Sequence, residues 1–235
     1  MSFLKDKLSI FTKTELPFLR RYQESDDVYN FLFEKEKDLT WKAGQHGLFT
    51  ITHKKMKDSI RPFSVASSPS EGVIRITTRI SEQPSEFKKA LLELEEGLKI
   101  TMSGPVGSFY LKEKTPTLFL AAGIGITPFR AIVKQLEAEG DTHEKTIELL
   151  YLDSKPHIYK HELDELSADT SINVHFLDSI EDMYHKTDQF LASHKNNAHY
   201  FVAGPKSMVE SMTNHLRKNH ITKKNIKKDA FRGVY

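Results

Sequence analysis

Thr117-Leu118-Phe119-Leu120-Ala121-Ala122-Gly123-Ile124-Gly125-Ile126-Thr127-Pro128 reads as a strand running into a glycine turn and a helix start. Gly123 and Gly125 allow a sharp turn and a close approach of backbone to ligand. Thr127 is a natural N-cap and Pro128 a natural first helical residue. The free N–H groups and dipole of such a helix suit a pyrophosphate. The stretch is not the dinucleotide fingerprint G-x-G-x-x-G, because Pro128 stands where its third glycine would be. A glycine turn after a strand can also do nothing but turn. The added Thr-Pro makes the signal more specific.

The rest of the second half follows the same pattern. Thr117–Ala122 leads to a helix over Pro128–Glu139, and strand Ile147–Leu152 to a helix around His161–Leu166. Ile172–Leu177 is a third strand. Tyr200–Ala203 is a fourth, passing through Gly204 into a helix over Pro205–His220 with proline at its opening. Strands alternating with helices predict an open, doubly wound parallel sheet, with ligands at the carboxyl ends of its strands. Two glycine-bearing strand ends in one such sheet can line one cleft.

Before Lys112-Glu113-Lys114-Thr115-Pro116 the pattern is different. Short strands at Val28–Phe33, Gly47–Thr52, Pro62–Ala66, Val73–Ile80 and Leu98–Met102 are separated by polar and glycine clusters. One helix, Ser85 to Leu94, interrupts them, with Ser85 placed as its cap. This half predicts a small antiparallel barrel. The domains are set at residues 1–112 and 113–235.

Composition narrows the class. The chain has 235 residues, 38% hydrophobic and 28% charged, and a formal charge of +2, which does not suggest a nucleic-acid binder. No apolar run approaches the roughly eighteen residues that span a bilayer, and the N-terminus has no signal-peptide core, so a cytoplasmic location is expected. The cysteine count of 0 excludes disulfides, thiolate metal sites and a cysteine-ligated iron–sulfur cluster within this chain. Redox chemistry would need an organic cofactor or a partner. His157 and His161 lack a Glu between them in the zinc-protease arrangement, are taken as solvent-facing, and no metal site is expected.

Arg61-Pro62-Phe63-Ser64-Val65 places a cation, an aromatic ring and a hydroxyl on one extended segment. Alternation puts Arg61, Phe63 and Val65 on a common side. Arginine suits a phosphate, an aromatic face suits a flat ring system, and Ser64 is a small donor and acceptor. An ordinary strand with a surface arginine and a core phenylalanine would read the same way.

Together these motifs resemble the ferredoxin–NADP+ reductase-like flavoproteins over nearly the whole chain. Arg61-Pro62-Phe63-Ser64 is similar to the family's R-x-Y-S/T flavin motif, Gly44-Gln45 to its barrel turn and Gly104-Pro105-Val106-Gly107 to its G-P-x-G segment. Gly123-Ile124-Gly125-Ile126-Thr127-Pro128 matches its G-x-G-x-T-P motif, Ala203-Gly204-Pro205 its C-G-P, and Asp229-Ala230-Phe231 its terminal E-x-F/Y. Phe63 replaces the usual tyrosine and Ala203 the usual cysteine. The chain runs on to Tyr235, and either Phe231 or Tyr235 can be the aromatic that covers the flavin; Phe231 is in register with the motif.

The resemblance implies an FAD-binding barrel followed by an NAD(P)-binding domain. Arg61 and Ser85 would then hold the FAD pyrophosphate, with Pro62 between Arg61 and the stacking ring of Phe63. Ser64 would reach flavin N5, and Thr77, Thr78 and Arg79 would line the nucleotide. Gly123, Gly125, Thr127, Ala203, Gly204 and Pro205 would receive the nicotinamide nucleotide, with Thr127 near both rings. The implied reaction is hydride transfer from nicotinamide C4 to flavin N5, with Ser64, Thr127 and Phe231 at the reacting atoms and the terminal aromatic acting as a gate. Asp153, after strand Ile147–Leu152, would accept from a ribose 2′-OH and favour NADH, whereas Ser154 and Lys155 suit a 2′-phosphate and NADPH. Electrons would pass to a separate acceptor such as ferredoxin or flavodoxin. Arg217, Lys218, Lys223, Lys224, Lys227 and Lys228 read either as a dock for an acidic carrier or as a solvated face. The rival class is a non-catalytic flavin- or nucleotide-binding relay or regulatory subunit of a larger complex.

Overall fold

The computed structural model describes residues 12–112, 115–140 and 146–231. The chain divides into two compact units, one running through Tyr110 and the other beginning at Leu111, two residues before the boundary expected from sequence.

The first unit is built from β1 (Lys13–Ser25), β2 (Val28–Glu34), β3 (His46–Ile51), β4 (Ile60–Ser64), β5 (Val73–Arg79), α1 (Glu86–Leu92) and β6 (Lys99–Val106). Its six strands form one antiparallel sheet in the order β4-β3-β6-β1-β2-β5. The two edges approach each other, because Ala66, just past β4, donates its N–H to Arg75 O on β5 at 2.9 Å. Ser67 Oγ adds bonds to Val73 O (2.7 Å) and from Arg75 N (3.1 Å). The sheet thus curls into the expected barrel. Leu16, Phe31, Phe33, Phe49, Ile76 and Ile100 are fully buried in its core, and α1 adds Phe87, Ala90 and Leu91.

β1 was not among the strands expected. Pro17 sits inside it and lacks an N–H, which argues locally against a strand. The structure puts Pro17 at the end of the β1–β6 ladder, opposite Lys99, just where β1 shifts register and turns to pair with β2. A proline is tolerated at such an irregularity.

The second unit contains β7 (Thr117–Ala122), α2 (Thr127–Ala138), β8 (Ile147–Leu152), α3 (Lys160–Asp169), β9 (Ile172–Leu177), α4 (Ile180–His194), β10 (His199–Pro205), α5 (Lys206–Lys218) and β11 (Ile226–Phe231). All five strands are parallel, in the order β11-β10-β7-β8-β9. Leu118, Leu120, Leu150, Tyr200 and Val202 pack on one face with Met183 and Leu191 of α4 and Val209, Met212 and Leu216 of α5. On the other face Phe119 meets Phe129 of α2, ring centres 4.9 Å apart. Both faces are covered, as a doubly wound sheet requires.

Two local expectations are corrected. Thr127 is not the cap of α2: a 3-10 turn, Gly123–Ile126, intervenes, Ile126 is the N-cap, and Pro128 is the second helical residue. Likewise Pro205 does not open α5 as its first residue but precedes it as the N-cap. α4 and β11 were also not foreseen. In α4 the buried positions are Met183, Thr187, Phe190 and Leu191, a helical spacing in which a threonine interrupts the apolar stripe. β11 is an edge strand, Ile-Lys-Lys-Asp-Ala-Phe, with no fully buried residue. Charge on an edge strand hides it from a pattern search and protects the edge from unwanted pairing.

Candidate functional site

In the first unit β3 and β4 pair so that Phe49 faces Arg61, Gly47 faces Phe63 and His46 faces Ser64. Arg61 and Phe63 therefore share the side of the core residue Phe49, and Pro62 and Ser64 the other. Val65 lies beyond β4 and is completely buried, so it adds nothing to the exposed face. Phe63 is half-buried: its ring is 6.0 Å from that of Phe49 and 5.7 Å from that of Phe87. The Arg61 guanidinium carbon lies 6.0 Å from the Phe87 ring centre. Its Nη1 donates to Ile60 O at 2.9 Å, its Nη2 is 3.9 Å from Asp58, and 29% of the side chain is exposed. That leaves a cation whose current partners are weak or backbone, which an incoming phosphate can displace.

Phe87 stands in the first turn of α1, next to the cap. Ser85 is the N-cap, its Oγ accepting from Lys88 N at 3.4 Å. The structure so brings Arg61, Phe63 and the Ser85 turn into one neighbourhood. Thr77, Thr78 and Arg79 lie on β5, at the other edge of the sheet. Thr77 Oγ1 donates to Asn30 Oδ1 at 2.6 Å, Thr78 Oγ1 to Arg79 O at 3.4 Å, and Arg79 pairs with Asp27 at 2.8 Å. The Thr77 and Arg79 side chains are engaged by β2 and by the turn that precedes it.

Sequence reasoning named Gly44-Gln45 as a motif but gave Gln45 no task. Its Oε1 accepts from Lys42 N (2.9 Å), its Nε2 donates to Gly107 O (3.0 Å), and its carbonyl accepts from Val65 N (3.0 Å). One side chain and its backbone thereby tie the 42–45 turn to the segment after β4 and to the glycine-bearing end of β6.

In the second unit the glycines meet directly. A Cβ on Gly125 would lie 2.3 Å from Ala203 O and 2.6 Å from Gly204 Cα, so only glycine lets the turn after β7 rest on the end of β10. Gly204, at φ +150°, packs in turn against Ala122 and Met208. Gly123 has φ +55° and looks toward Asp153, whose Oδ2 is 4.0 Å from the position of its missing Cβ. Asp153 is buried at the end of β8; its Oδ1 accepts from Lys155 N at 3.0 Å. The Thr127 hydroxyl donates back to Ile124 O at 3.1 Å and keeps acceptor capacity. Phe231, half-buried, ends β11 in register with Pro205. Gly123, Gly125, Thr127, Asp153, Ala203, Gly204, Pro205 and Phe231 are thus gathered at the carboxyl ends of β7, β8, β10 and β11. Tyr235 lies outside the described residues.

One residue was misjudged. His157 does not face solvent: its Nε2 is 3.1 Å from both Tyr151 O and Leu177 O, and its ring packs edgewise on Tyr151 and Phe176. His161 does face solvent, paired loosely with Glu165. Among the described residues no helix is long and apolar enough to cross a membrane.

Residues 16–110 match the oxidoreductase FAD-binding domain and residues 119–214 the oxidoreductase NAD-binding domain. The chain belongs to the oxidoreductases built from an FAD-binding and an NAD-binding domain, and its fold is that of the ferredoxin–NADP+ reductases. It is 25% identical to a component of the Na(+)-translocating NADH-quinone reductase of Histophilus somni, across 99% of this chain and 65% of that one. The chain therefore spans less than two thirds of that relative's length. In fold it is similar to the ferredoxin-NADP+ reductase of Plasmodium falciparum, with TM-score 0.80, 18% identity and coverage of 93% and 96%. It is also similar to the FAD/NAD-binding domain of a Vibrio cholerae nitric oxide dioxygenase, with TM-score 0.74, 18% identity and coverage of 92% and 98%.

Proposed function

We propose that the protein is an FAD-dependent NAD(P)H reductase that prefers NADH and passes electrons to a separate acceptor such as a ferredoxin or flavodoxin. The observation that carries this reading is the packing of Gly125 on the Ala203–Gly204 backbone, with Asp153 and Phe231 at neighbouring strand ends. It brings the turn after β7 against the end of β10 backbone to backbone, in a chain whose other half matches an FAD-binding domain. FAD, when bound, supplies the hydride acceptor and can release electrons singly or as a pair.

The chain's own residues orient and neutralise. Arg61 meets the flavin pyrophosphate as a planar fork, and the Ser85 turn adds backbone donors. Pro62 stiffens the segment, the half-buried Phe63 offers its ring for stacking, and Ser64, whose side chain lies on the other side of β4, reaches the flavin's reacting edge through its backbone. Thr77, Thr78 and Arg79 contribute chiefly through backbone, since Thr77 and Arg79 already hold Asn30 and Asp27. The turn 123–126 and Gly204 receive the pyridine nucleotide, and the spare acceptor of Thr127 suits the nicotinamide amide. Phe231, beside Pro205, is the ring that gives way to the nicotinamide. The same reading sets the chain in the cytoplasm, where NADH is a common reductant.

Arg61→Ala should weaken FAD binding roughly 10- to 100-fold, the scale of a charge-assisted contact, while Phe63→Tyr should leave it nearly unchanged. Flavin retained through purification and its dissociation constant are the measures. Full retention by Arg61→Ala would remove the phosphate role.

Asp153 supports NADH, because a buried carboxylate beside Gly123 repels a 2′-phosphate. The NADH-quinone reductase name of the relatives points the same way. Asp153→Ser should cut the NADH-over-NADPH ratio of kcat/KM about tenfold. An unmoved ratio would sink the assignment.

For the acceptor, Arg217, Lys218, Lys223, Lys224 and Lys228 are exposed on α5, the turn after it and β11, with Lys227 half-buried. None of the six forms an ion pair among the described residues. Such a field steers an acidic carrier, so its reduction should slow steeply as salt rises. A salt-independent rate would leave this face merely solvated. The relatives are named as one component of a multi-chain reductase, which supports a second reading in which the chain relays electrons within a larger assembly.

A further inference from the structure

We propose that His157 is a positioning residue that fixes the turn reading the ribose end of the pyridine nucleotide; this rests on the nucleotide role given above to Asp153. His157 Nε2 stands 3.1 Å from two carbonyl oxygens, Tyr151 O and Leu177 O. Carbonyls only accept, so Nε2 carries the hydrogen and is shared between them. Tyr151 belongs to β8 and Leu177 ends β9, adjacent parallel strands in which Leu152 pairs with Leu177. One ring therefore staples the carboxyl ends of both strands.

Leu177 O also accepts from Asp153 N at 3.2 Å. The turn thus begins and ends on the same carbonyl, and Asp153 Oδ1 closes it from within by accepting Lys155 N. The imidazole is wedged edgewise between Tyr151, with centres 4.8 Å apart, and Phe176, at 5.2 Å. Between the two anchors Ser154, Lys155 and Pro156 are exposed, and the Asp153 carboxylate is held toward Gly123. Among the described residues β9 is an edge strand, so no further strand of the sheet braces this end of the turn. His157 touches no nucleotide in this scheme. It sets where Asp153, Ser154 and Lys155 stand.

The test uses the flavin-loaded full chain and the anaerobic reduction of its flavin at graded NADH and NADPH. His157→Ala should raise half-saturation for NADH about tenfold, keep the limiting rate within about twofold, and narrow the NADH/NADPH ratio. His157→Gln places its amide nitrogen as far along the side chain as Nε2 and should restore wild-type half-saturation; His157→Asn, one carbon shorter, should not. A folded His157→Ala with unchanged half-saturation and ratio would overturn the role, and so would Gln and Asn variants that behave alike. The Gln and Asn pair carries the test if the alanine variant does not fold. Failure of the underlying reading looks different: wild-type flavin that neither nucleotide reduces would overturn both.

Discussion

Gly125→Ala is expected to disable the nucleotide half of the molecule while the flavin half keeps its cofactor. The added Cβ would sit 2.3 Å from Ala203 O and 2.6 Å from Ala203 C and Gly204 Cα, all backbone atoms. No side chain can rotate to relieve that contact. Nor can β10 retreat easily, since Ala203 is paired with Ala121 on one side and Asp229 on the other. The turn after β7 must lift instead, and it carries Gly123, Ile124 and the start of α2 with it. Overpacking of this kind costs about 1–3 kcal/mol and occasionally more. Displacement of the turn should raise half-saturation by NADH at least about tenfold. Thermal unfolding and anaerobic titration would be read together. Wild-type stability with wild-type NADH affinity would mean that the glycine contact is not what shapes the turn.

Glu162→Ala should have the largest effect on stability. Arg130 is 2% exposed on α2, and its guanidinium meets Glu162 of α3 through Nε at 2.8 Å and again through Nη2. The guanidinium carbon also lies 5.2 Å from the ring centre of Tyr159. Removing the carboxylate strips a buried cation of the counter-charge that engages two of its nitrogens, a loss of about 3–5 kcal/mol in comparable pairs. The midpoint of thermal unfolding should fall by roughly 10 °C. Replacing both residues, as Arg130→Met with Glu162→Leu, should recover most of that, because the buried guanidinium is then no longer desolvated and its half-buried partner is gone with it. A single variant as stable as wild type would show that Arg130 finds adequate partners elsewhere.

The parts of the fold that could be read from the chain are those where burial leaves a simple pattern. Thr117–Ala122, Ile147–Leu152 and Ile172–Leu177 appear with the bounds expected of them. β7 is buried at every position, so its apolar run is continuous. The missed elements each carry a contrary local signal: Pro17 in β1, Thr187 in the stripe of α4, and two lysines in β11. In each case a pairing or packing partner distant in sequence overrides the local pattern. Pro17 stands opposite Lys99, and β11 lies against β10.

The site shows the same division. The glycines at 123, 125 and 204 could be singled out because unusual backbone conformations and close approaches demand glycine. That Gly125 rests on Ala203 rather than on open space could not be read from spacing. His157 looked like surface because the carbonyls it binds come from β8 and β9, and one of them is twenty residues away. Thr77 and Arg79 lie on β5, but Asn30 and Asp27, which occupy their side chains, come from another strand and turn.

The central claim is that reduced nicotinamide delivers its electrons to a flavin held by this chain. Anaerobic addition of NADH to the purified, FAD-loaded protein tests it most directly, with the flavin's visible absorbance band as the readout. The account predicts a yellow protein that bleaches on mixing, with NADH more effective than NADPH. A yellow protein that neither nucleotide bleaches would contradict the reductase reading and leave a flavin-binding relay, while a colourless protein that takes up no flavin would contradict both.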